Sequence, residues 1–310
     1  MADVTVLLAT YNGAAFLRQQ IDSVLCQSFS DFQLILSDDG STDDTVALLE
    51  RYAREHPDRI TLYRSGRRFG CAQTHFMHLL ERFHHTPYIM FCDQDDVWHP
   101  DKIEKTLQKI QSLETDPAIP LLVHTDLRVV DGQLNELSPS FWQLSNLDGS
   151  RTALNQLLVQ NVVTGCTTMV NRSLAALACE VPPSETMLMH DWWLAILAAA
   201  TGKIGFLPEA TMDYRQHGTN SVGAKDIRSP AYILYRLRCA SMRKSLQDAA
   251  DQANSFLKHY ENRLSSEQIA LLRAFIASRD KNLLQRDRIY LRYHLLKFGA
   301  ARKCAQLLGL

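Results

Sequence analysis

Short apolar runs alternate with amphipathic segments along the first 130 residues of the chain. The apolar runs have the length of strands and cover residues 4–9, 32–37, 60–63, 88–92 and 121–124. The segments between them, residues 15–26, 43–55 and 73–83, carry apolar side chains at helical spacing. Strands that alternate with helices in this way are typical of a parallel sheet covered by helices. The pattern therefore predicts an α/β fold.

The pattern changes further along the chain. Residues 163–170 predict a buried strand that contains Gly165, and residues 190–202 predict a helix. Short strands are expected around Pro208. Beyond Pro230, apolar residues recur at roughly helical intervals, which predicts three or four helices at the end of the chain.

Charge divides the chain into an acidic first part and a basic last part. The formal net charge is −1, yet residues 228–310 hold 16 Lys and Arg against six Asp and Glu. We therefore expect an α/β domain at 1–228 and a basic helical region at 229–310. Residues 279–302 predict amphipathic helices that suit an anionic membrane, although packing on the acidic domain or a solvated face fits them as well. No motif indicates a nucleic acid partner.

Composition narrows the class of protein further. A hydrophobic content of 46% is sufficient for a large core, and the longest apolar stretch, residues 192–200, is shorter than the ~18 residues of a membrane helix. Seven scattered cysteines without a CxxC pair predict buried free thiols in a reducing compartment. With no signal-peptide pattern at the N-terminus, we expect a cytoplasmic protein, with attachment to the inner face of the cell membrane if the basic region binds lipid.

Polar residues follow three of the predicted strands. TYNG occupies residues 10–13, DDGS residues 38–41 and DQDD residues 93–96. Ligands of open α/β sheets bind outside the carboxyl ends of the strands, so these three segments are candidates for one site. An ordinary turn and a helix cap also explain the first two.

The DQDD segment carries the sharpest chemical signal. Three carboxylates within four residues repel one another unless a cation or a set of hydrogen-bond donors compensates. Mn²⁺ and Mg²⁺ prefer oxygen ligands and are often shared with substrate phosphates. A divalent ion here would stabilise the negative charge of a diphosphate leaving group; the alternative is a solvated acidic turn. The absence of GxGxxG and GxxxxGK[ST] disfavours dehydrogenases and P-loop enzymes.

Five motifs occur in an order that resembles a known family. They are ATYNG, SDDGSTDDT, CDQDDVW, HDWW and YRQHGTNSVG. The sequence is similar over roughly residues 4–223 to the family-2 inverting glycosyltransferases with the GT-A fold, and most similar to their bacterial rhamnosyltransferase-like branch. The resemblance implies a Rossmann-like mixed sheet with a nucleotide-binding half at about 1–97 and an acceptor half at about 98–228, followed by the C-terminal helical region.

The resemblance also implies roles for individual residues. Contacts with the nucleotide-sugar are expected for nine of them: Thr10, Tyr11, Asn12, Asp39, Arg68, Asp93, Asp96, Gly165 and Arg215. Asp39 would bind the pyrimidine base, and Asp96 would lie near the sugar or ribose. A solvated loop explains Arg68 equally well, a surface salt bridge explains Arg215, and packing explains Gly165.

Metal ligands and catalytic groups follow from the same motifs. Asp95, Asp93 and His217 match positions that would hold Mn²⁺ or Mg²⁺, although a lone histidine is often structural. Asp191 matches the family's general base, which inversion requires for deprotonating the acceptor hydroxyl; it could also cap a helix. Trp192 and Trp193 would form an apolar platform for the acceptor sugar, although helical spacing favours a core position for one of them.

These observations predict a hexosyltransferase that moves a sugar from a dTDP- or UDP-sugar to a glycan or lipid-linked glycan acceptor. Rhamnose is the first candidate sugar, and bacterial surface polysaccharide such as O-antigen or capsule the expected product. A sugar nucleotidyltransferase is an alternative, but the segment ATYNGAAF lacks the glycine-rich loop with a basic residue which such an enzyme needs. A non-catalytic nucleotide-sugar binding module is another, but it would not need HDWW.

Overall fold

The first half of the chain builds four parallel strands joined by helices. The computed structural model describes residues 2–183, 186–217 and 241–309. Its first elements are β1 (Val4–Thr10), α1 (Ala14–Leu25), β2 (Phe32–Asp38), α2 (Thr45–Glu55), β3 (Ile60–Tyr63), α3 (Ala72–Phe83) and β4 (Tyr88–Cys92). Strand β1 pairs in parallel with both β2 and β4, and β3 pairs with β2. The sequence patterns predicted these strands and helices to within two residues at each end.

The following segments complete a mixed sheet. They are β5 (Val97–Trp98), α4 (Lys102–Leu113), β6 (Leu121–Val130), β7 (Glu136–Ser138), α5 (Phe141–Leu144), α6 (Leu154–Leu157), β8 (Met169–Asn171), α7 (Arg172–Ala178), α8 (His190–Thr201) and β9 (Lys203–Arg215). The strand order is β3-β2-β1-β4-β8-β6-β9-β5, with β7 on β6. Strand β8 runs antiparallel to β4 and β6. The chain passes from β1 to β2 on one side of β1, and from β3 to β4 on the other side. The boundary between β1 and β4 is therefore a switch point, where ligands of open α/β sheets bind.

Four helices form the described end of the chain, as the apolar spacing predicts. They are α9 (Ser241–Tyr260), α10 (Ser266–Ser278), α11 (Leu283–Arg292) and α12 (Ala300–Leu308). Capping side chains start two of them: Ser265 accepts from the N–H of Gln268, and Asn282 accepts from that of Gln285. The predicted boundary between 1–228 and 229–310 lies outside the described residues. No helix in the described ranges has both the length and the hydrophobicity of a membrane span.

Three local predictions are corrected. Residues 163–170 are not one strand, because Gly165–Thr167 forms a 3₁₀ turn before β8 begins. The segment around Pro208 is a single strand, β9, whose register with β6 shifts there; the shift accommodates a proline that cannot donate to the ladder. The basic segment 279–302 is interrupted between α11 and α12, where Gly299 adopts a φ of +88°.

Two apolar clusters cover the two faces of the sheet. Alternation along β1 places Leu7 in one cluster and Val6 with Leu8 in the other. The Leu7 cluster extends into the C-terminal helices, where Trp193 meets Phe256 edge to face at 5.6 Å. The helical region therefore shares a core with the sheet.

The cysteines are less buried than the sequence suggested. All six in the described residues are free, but only Cys92 and Cys166 are buried; Cys26, Cys71 and Cys304 are exposed. Cys239 lies outside the described residues.

Candidate active site

A cavity of about 490 Å³ lies at the carboxyl ends of β1, β2 and β4. One side, here called the strand-end wall, consists of residues 9–11, 39, 68–76 and 93–95; the opposite helix-start wall consists of residues 161–165 and 189–191. Eight residues predicted from the sequence line the cavity: Thr10, Tyr11, Asp39, Arg68, Asp93, Asp95, Gly165 and Asp191. The fold thus brings together residues that are up to 181 positions apart in the chain.

Hydrogen bonds fix the part of the strand-end wall that follows β1 and β2. The buried Thr10 hydroxyl lies 3.2 Å from the Ser37 carbonyl and 2.9 Å from Oδ1 of Asp38, so it joins the ends of β1 and β2. The Asp39 carboxylate accepts the N–H groups of Phe69 and Gly70, the latter at 2.8 Å. These bonds hold Asp39 at the cavity while leaving lone pairs on its oxygens for a ligand.

Gln94 joins the acidic loop, residues 93–96, to the turn that follows β1. The motif analysis did not single out this residue. Its side-chain oxygen accepts the Tyr11 N–H at 2.8 Å, and its nitrogen donates to the Tyr11 carbonyl at 3.1 Å. A Cβ on Gly13 would lie 2.2 Å from that oxygen, so a larger residue there would displace the Gln94 side chain from Tyr11. Arg68 lies with its guanidinium carbon 4.9 Å from the centre of the Tyr11 ring.

Asn12 is not among the residues that line the cavity. Its side chain accepts the Thr42 N–H at 2.8 Å, and its own N–H donates to the Ser41 hydroxyl at 2.7 Å. The residue adopts a φ of +48°, a conformation that asparagine tolerates better than most residues. Asn12 therefore fastens two loops together instead of presenting its amide to a nucleotide.

The acidic loop holds two part-buried carboxylates and one that is fully buried. Asp93 and Asp95 line the cavity, and Oδ2 of Asp95 lies 2.7 Å from Nε2 of His217. Asp96, by contrast, is fully buried away from the cavity; Oδ1 accepts the Arg215 N–H at 3.2 Å, and Oδ2 has no partner among the described residues. The expected contact of Asp96 with sugar or ribose is corrected, because its side chain is fully buried against the backbone of Arg215.

Electrostatic repulsion is strong within this loop. Oxygens of Asp93 and Asp96 and the sulfur of Cys166 lie within 4.8 Å of one another. Removal from water, followed by repulsion from Asp95 and Asp191, raises the pKa of Asp93 to about 7. Burial likewise raises the pKa of Asp96 well above its usual value. A bound cation would relieve this repulsion, and the oxygen and imidazole donors of Asp93, Asp95 and His217 suit Mn²⁺ or Mg²⁺.

Arg215 fixes the acidic loop instead of facing a phosphate, which corrects its expected role. Its Nε donates to the Asp95 carbonyl at 2.9 Å, one Nη to the Gly132 carbonyl at 2.7 Å, and the other to Gln19 at 2.6 Å. The guanidinium is 1% exposed and lies 4.6 Å from the centre of the Phe16 ring. An arginine with its donors engaged in this way is a positioning residue.

Asp191 occupies the helix-start wall at the first turn of α8. Its Oδ2 accepts the Gly165 N–H at 2.8 Å, and its Oδ1 accepts from the Asn161 amide at 3.1 Å. Burial raises the pKa of Asp191 to about 6. No motif in the sequence pointed to Asn161. Both carboxylate oxygens are therefore oriented, and the group has a pKa suited to accepting a proton near neutral pH.

Two histidines line the cavity as neutral rings. His190 lies between Phe76 and Phe91, with centroid distances of 4.6 and 5.0 Å, and burial lowers its pKa to about 3. His75 meets the Ser37 hydroxyl at 2.7 Å, and burial lowers its pKa to about 4. Among the described residues, the cavity is thus lined by four aspartates but by a single Lys or Arg side chain, that of Arg68.

Neither tryptophan of HDWW lines the cavity. Trp192 donates to the Leu157 carbonyl at 2.6 Å, and Trp193 is fully buried in the core. The expectation that one of the two is a core residue is confirmed for Trp193. The apolar side chains of the cavity come from elsewhere, among them Leu127, Phe141, Leu147, Val162, Val163 and Tyr214.

The sheet order and the acidic loop at its switch point define a GT-A glycosyltransferase fold, as solved structures show. TarS from S. aureus matches with a TM-score of 0.58 at 14% identity, over 89% of this chain and 43% of that chain. The mannosyltransferase PcManGT from Pyrobaculum calidifontis, solved with GDP-Man and Mn²⁺, matches with a TM-score of 0.55 at 17% identity, over 99% and 85% of the two chains.

Sequence comparison gives the family. Residues 5–177 match the model of Glycosyl transferase family 2, so the chain belongs to this family and is a glycosyltransferase. The dTDP-rhamnosyl transferase RfbG of Shigella flexneri is 28% identical over 226 residues, 70% of this chain and 74% of the relative. The uncharacterized glycosyltransferase alr2836 of Nostoc sp. is 25% identical over 225 residues, 70% and 66% of the two chains. The nucleotidyltransferase and non-catalytic alternatives are thereby set aside.

Proposed function

We propose that the protein is an inverting, metal-dependent glycosyltransferase that transfers the sugar of a nucleoside diphosphate-sugar to a glycan acceptor. The observation that carries the proposal is the cavity itself. It places Asp39, the Asp93 and Asp95 pair, and Asp191 around one space large enough for a nucleotide-sugar. The cavity thus offers a candidate for three tasks of such a reaction: Asp39 for binding the nucleobase, the Asp93 and Asp95 pair for the diphosphate, and Asp191 for taking the acceptor's proton.

The proposed donor is a dTDP- or UDP-sugar, with rhamnose as the first candidate. TarS has been solved with UDP and with UDP-GlcNAc, and the Shigella relative is named a dTDP-rhamnosyl transferase. Thymine and uracil both present an N–H donor, which the Asp39 carboxylate is placed to accept. Tyr11 and Arg68 line the same end of the cavity and would enclose the nucleotide.

Mn²⁺ or Mg²⁺ would be held by Asp93, Asp95 and His217. PcManGT was solved with Mn²⁺. The four aspartates of the lining outnumber the single described arginine, so an anionic diphosphate would be repelled unless a cation is bound. When bound, the ion would supply the charge stabilisation that the departing nucleoside diphosphate requires.

Asp191 is the proposed general base. It would take the proton of the acceptor hydroxyl while that oxygen forms a bond to the anomeric carbon and the bond to the phosphate oxygen breaks. Attack from the side opposite the leaving group inverts the configuration. The Gly165 N–H and the Asn161 amide would keep the carboxylate oriented during this step.

The proposed acceptor is a glycan or lipid-linked glycan of bacterial surface polysaccharide, such as O-antigen or capsule. The apolar and aromatic side chains that line the cavity suit the faces of sugar rings. Synthesis of this kind would place the enzyme on the cytoplasmic side of the cell membrane, with peripheral contact through residues 229–310.

Donor hydrolysis in the presence of Mn²⁺ tests the proposal. Asp191→Asn is expected to lower turnover about 10²- to 10⁴-fold while donor affinity is retained, because the amide cannot accept the proton. The exposed Asp58→Asn serves as the matched control and should turn over normally. Retained turnover in Asp191→Asn, or turnover that is indifferent to chelation of divalent ions, would contradict the mechanism.

A further inference from the structure

Four leucines of the last two helices are exposed to solvent. Leu283, Leu284, Leu291 and Leu308 are 45%, 74%, 55% and 64% exposed. Only Tyr11 and Leu137 are comparable among the large apolar side chains of the described residues. Leu284 and Leu291 lie two turns apart on the same face of α11. Exposed apolar side chains concentrated in one region indicate an interaction surface.

Basic side chains surround these leucines. Residues 279–303 contain eight Lys and Arg against two acidic residues. Arg288 lies between Leu284 and Leu291 on the exposed face of α11, and Arg292 and Lys303 are also exposed. A helix with leucines and cations on one face is typical of segments that lie in the plane of an anionic bilayer.

A second cavity, of about 270 Å³, opens beside this face. Its lining includes Arg243 of α9, Lys281 before α11, and Leu283 and Leu308 of the exposed set. Arg286 also lines it and is held by the carbonyls of Gln306 and Leu307. Arg243 and Lys281 are exposed and form no ion pair with the described residues. A cavity of this size with two such cations is large enough for a lipid phosphate group, whose acyl chains would lie outside it against the exposed leucines.

We propose that this leucine and arginine surface of α11 and α12, comprising Leu283, Leu284, Arg288, Leu291 and Leu308, docks on an anionic lipid bilayer. The leucines enter the boundary between headgroups and acyl chains, and a lipid phosphate occupies the cavity between Arg243 and Lys281. The inference specifies one part of the proposed function, the contact with the membrane. It rests on that contact and does not depend on the proposed catalytic mechanism. Charge complementarity selects an anionic bilayer as the occupant.

The surface is joined rigidly to the helix-start wall of the active site. Arg302 donates to the carbonyls of Ser145 and Asn146, and the Phe298 N–H donates to the Gln160 side chain at 2.6 Å. Residue 160 directly precedes the wall segment 161–165. Docking of α11 and α12 on a bilayer would therefore hold the Asp191 side of the cavity at a fixed distance from lipid-linked acceptors.

Flotation of the full-length protein with vesicles tests the inference. Binding is expected to vesicles of phosphatidylcholine with phosphatidylglycerol, to weaken with salt, and to be absent with phosphatidylcholine alone. Leu284→Ser with Leu291→Ser should weaken vesicle binding by at least about tenfold for each leucine. Lys281→Gln with Arg288→Gln should weaken it about fivefold for each charge.

Matched variants at exposed positions outside the surface provide the controls. Leu137→Ser, and Arg54→Gln with Arg82→Gln, change exposed side chains outside the surface and should float like the wild type. All variants should hydrolyse the donor at the wild-type rate in solution, so failure of the catalytic proposal would be seen separately. Equal flotation of surface and control variants would overturn the inference.

Two other occupants would also overturn it. If a second copy of the chain covers the surface, light scattering will show a dimer that Leu284→Ser with Leu291→Ser converts to a monomer, without flotation of the wild type. If the cavity takes a free anion only, inorganic phosphate will raise the melting temperature while anionic vesicles fail to bind.

Discussion

The strand-end wall of the cavity is built from loops that follow neighbouring parallel strands of the sheet. The helix-start wall is built instead from segments that do not follow neighbouring strands. Asp39 and Asp95 each follow the carboxyl end of a parallel strand, and sheet pairing brings those two strand ends to the same edge. Asp191 reaches the same cavity through α8, and its orientation depends on Gly165 and Asn161. The first wall is therefore a property of the sheet, and the second depends on how distant segments pack upon it.

The largest expected effect concerns the metal ligands of the strand-end wall. Asp95→Asn removes a charged oxygen ligand, so Mn²⁺-dependent turnover should fall about 10³-fold. Calorimetry should show that Mn²⁺ no longer strengthens nucleotide binding. Asp96→Asn is the matched comparison; because the Asp96 side chain does not line the cavity, nucleotide affinity should fall far less than in Asp95→Asn. A loss of nucleotide affinity in Asp96→Asn as large as that in Asp95→Asn would contradict the assignment.

Arg215→Lys should have the next largest effect. Lysine cannot reach the Asp95 carbonyl, the Gly132 carbonyl and Gln19 together, so the acidic loop loses its support. Mn²⁺ affinity should fall about 10- to 100-fold, and the free energy of unfolding should fall by about 2 kcal/mol. Denaturant unfolding and a metal titration measure the two. Lowered donor affinity with unchanged metal affinity and stability would instead indicate a phosphate contact.

Asn161→Ala tests the helix-start wall through the pH dependence of turnover. The base must be unprotonated, so kcat/KM should fall as the pH drops below about 6, the pKa of Asp191. Removing the Asn161 hydrogen bond disfavours the charged carboxylate, which raises that pKa and moves the acidic limb to higher pH. At neutral pH the loss should be about tenfold. A limb that does not move would show that Asn161 has no part in orienting the base.

The smallest expected effect concerns the stability of the helix-start wall. A Cβ on Gly165 would lie 2.7 Å from Nε2 of His190, so Gly165→Ala should cost about 1 to 3 kcal/mol of unfolding free energy. Gly132→Ala is the control, because no atom lies within 4 Å of its added Cβ. Thermal unfolding should distinguish the two; equal melting temperatures would mean that the cavity wall adjusts without cost.

The helix-start wall was harder to predict than the strand-end wall for a physical reason. Asp39, Asp93 and Asp95 follow apolar runs, and the polarity of a parallel sheet places such residues at one edge. Asn161 lies in a segment without periodicity, so nothing local marks it. Arg215 and Asp96 are neighbours of cavity-lining residues in their motifs, but their side chains point into the protein interior. A sequence motif does not show in which direction a side chain points.

The sequence by itself determined the α/β pattern, the strands and helices of the first half, the helical end, and the acidic residues that follow the strands. Apolar periodicity and strand polarity are local properties, so they can be recognised without coordinates. The tertiary structure decided which carboxylates face the cavity, that Arg215 supports the acidic loop, and that Asn161 and Gly165 orient Asp191. These depend on hydrogen bonds between residues far apart in the chain, which form only when the segments pack together.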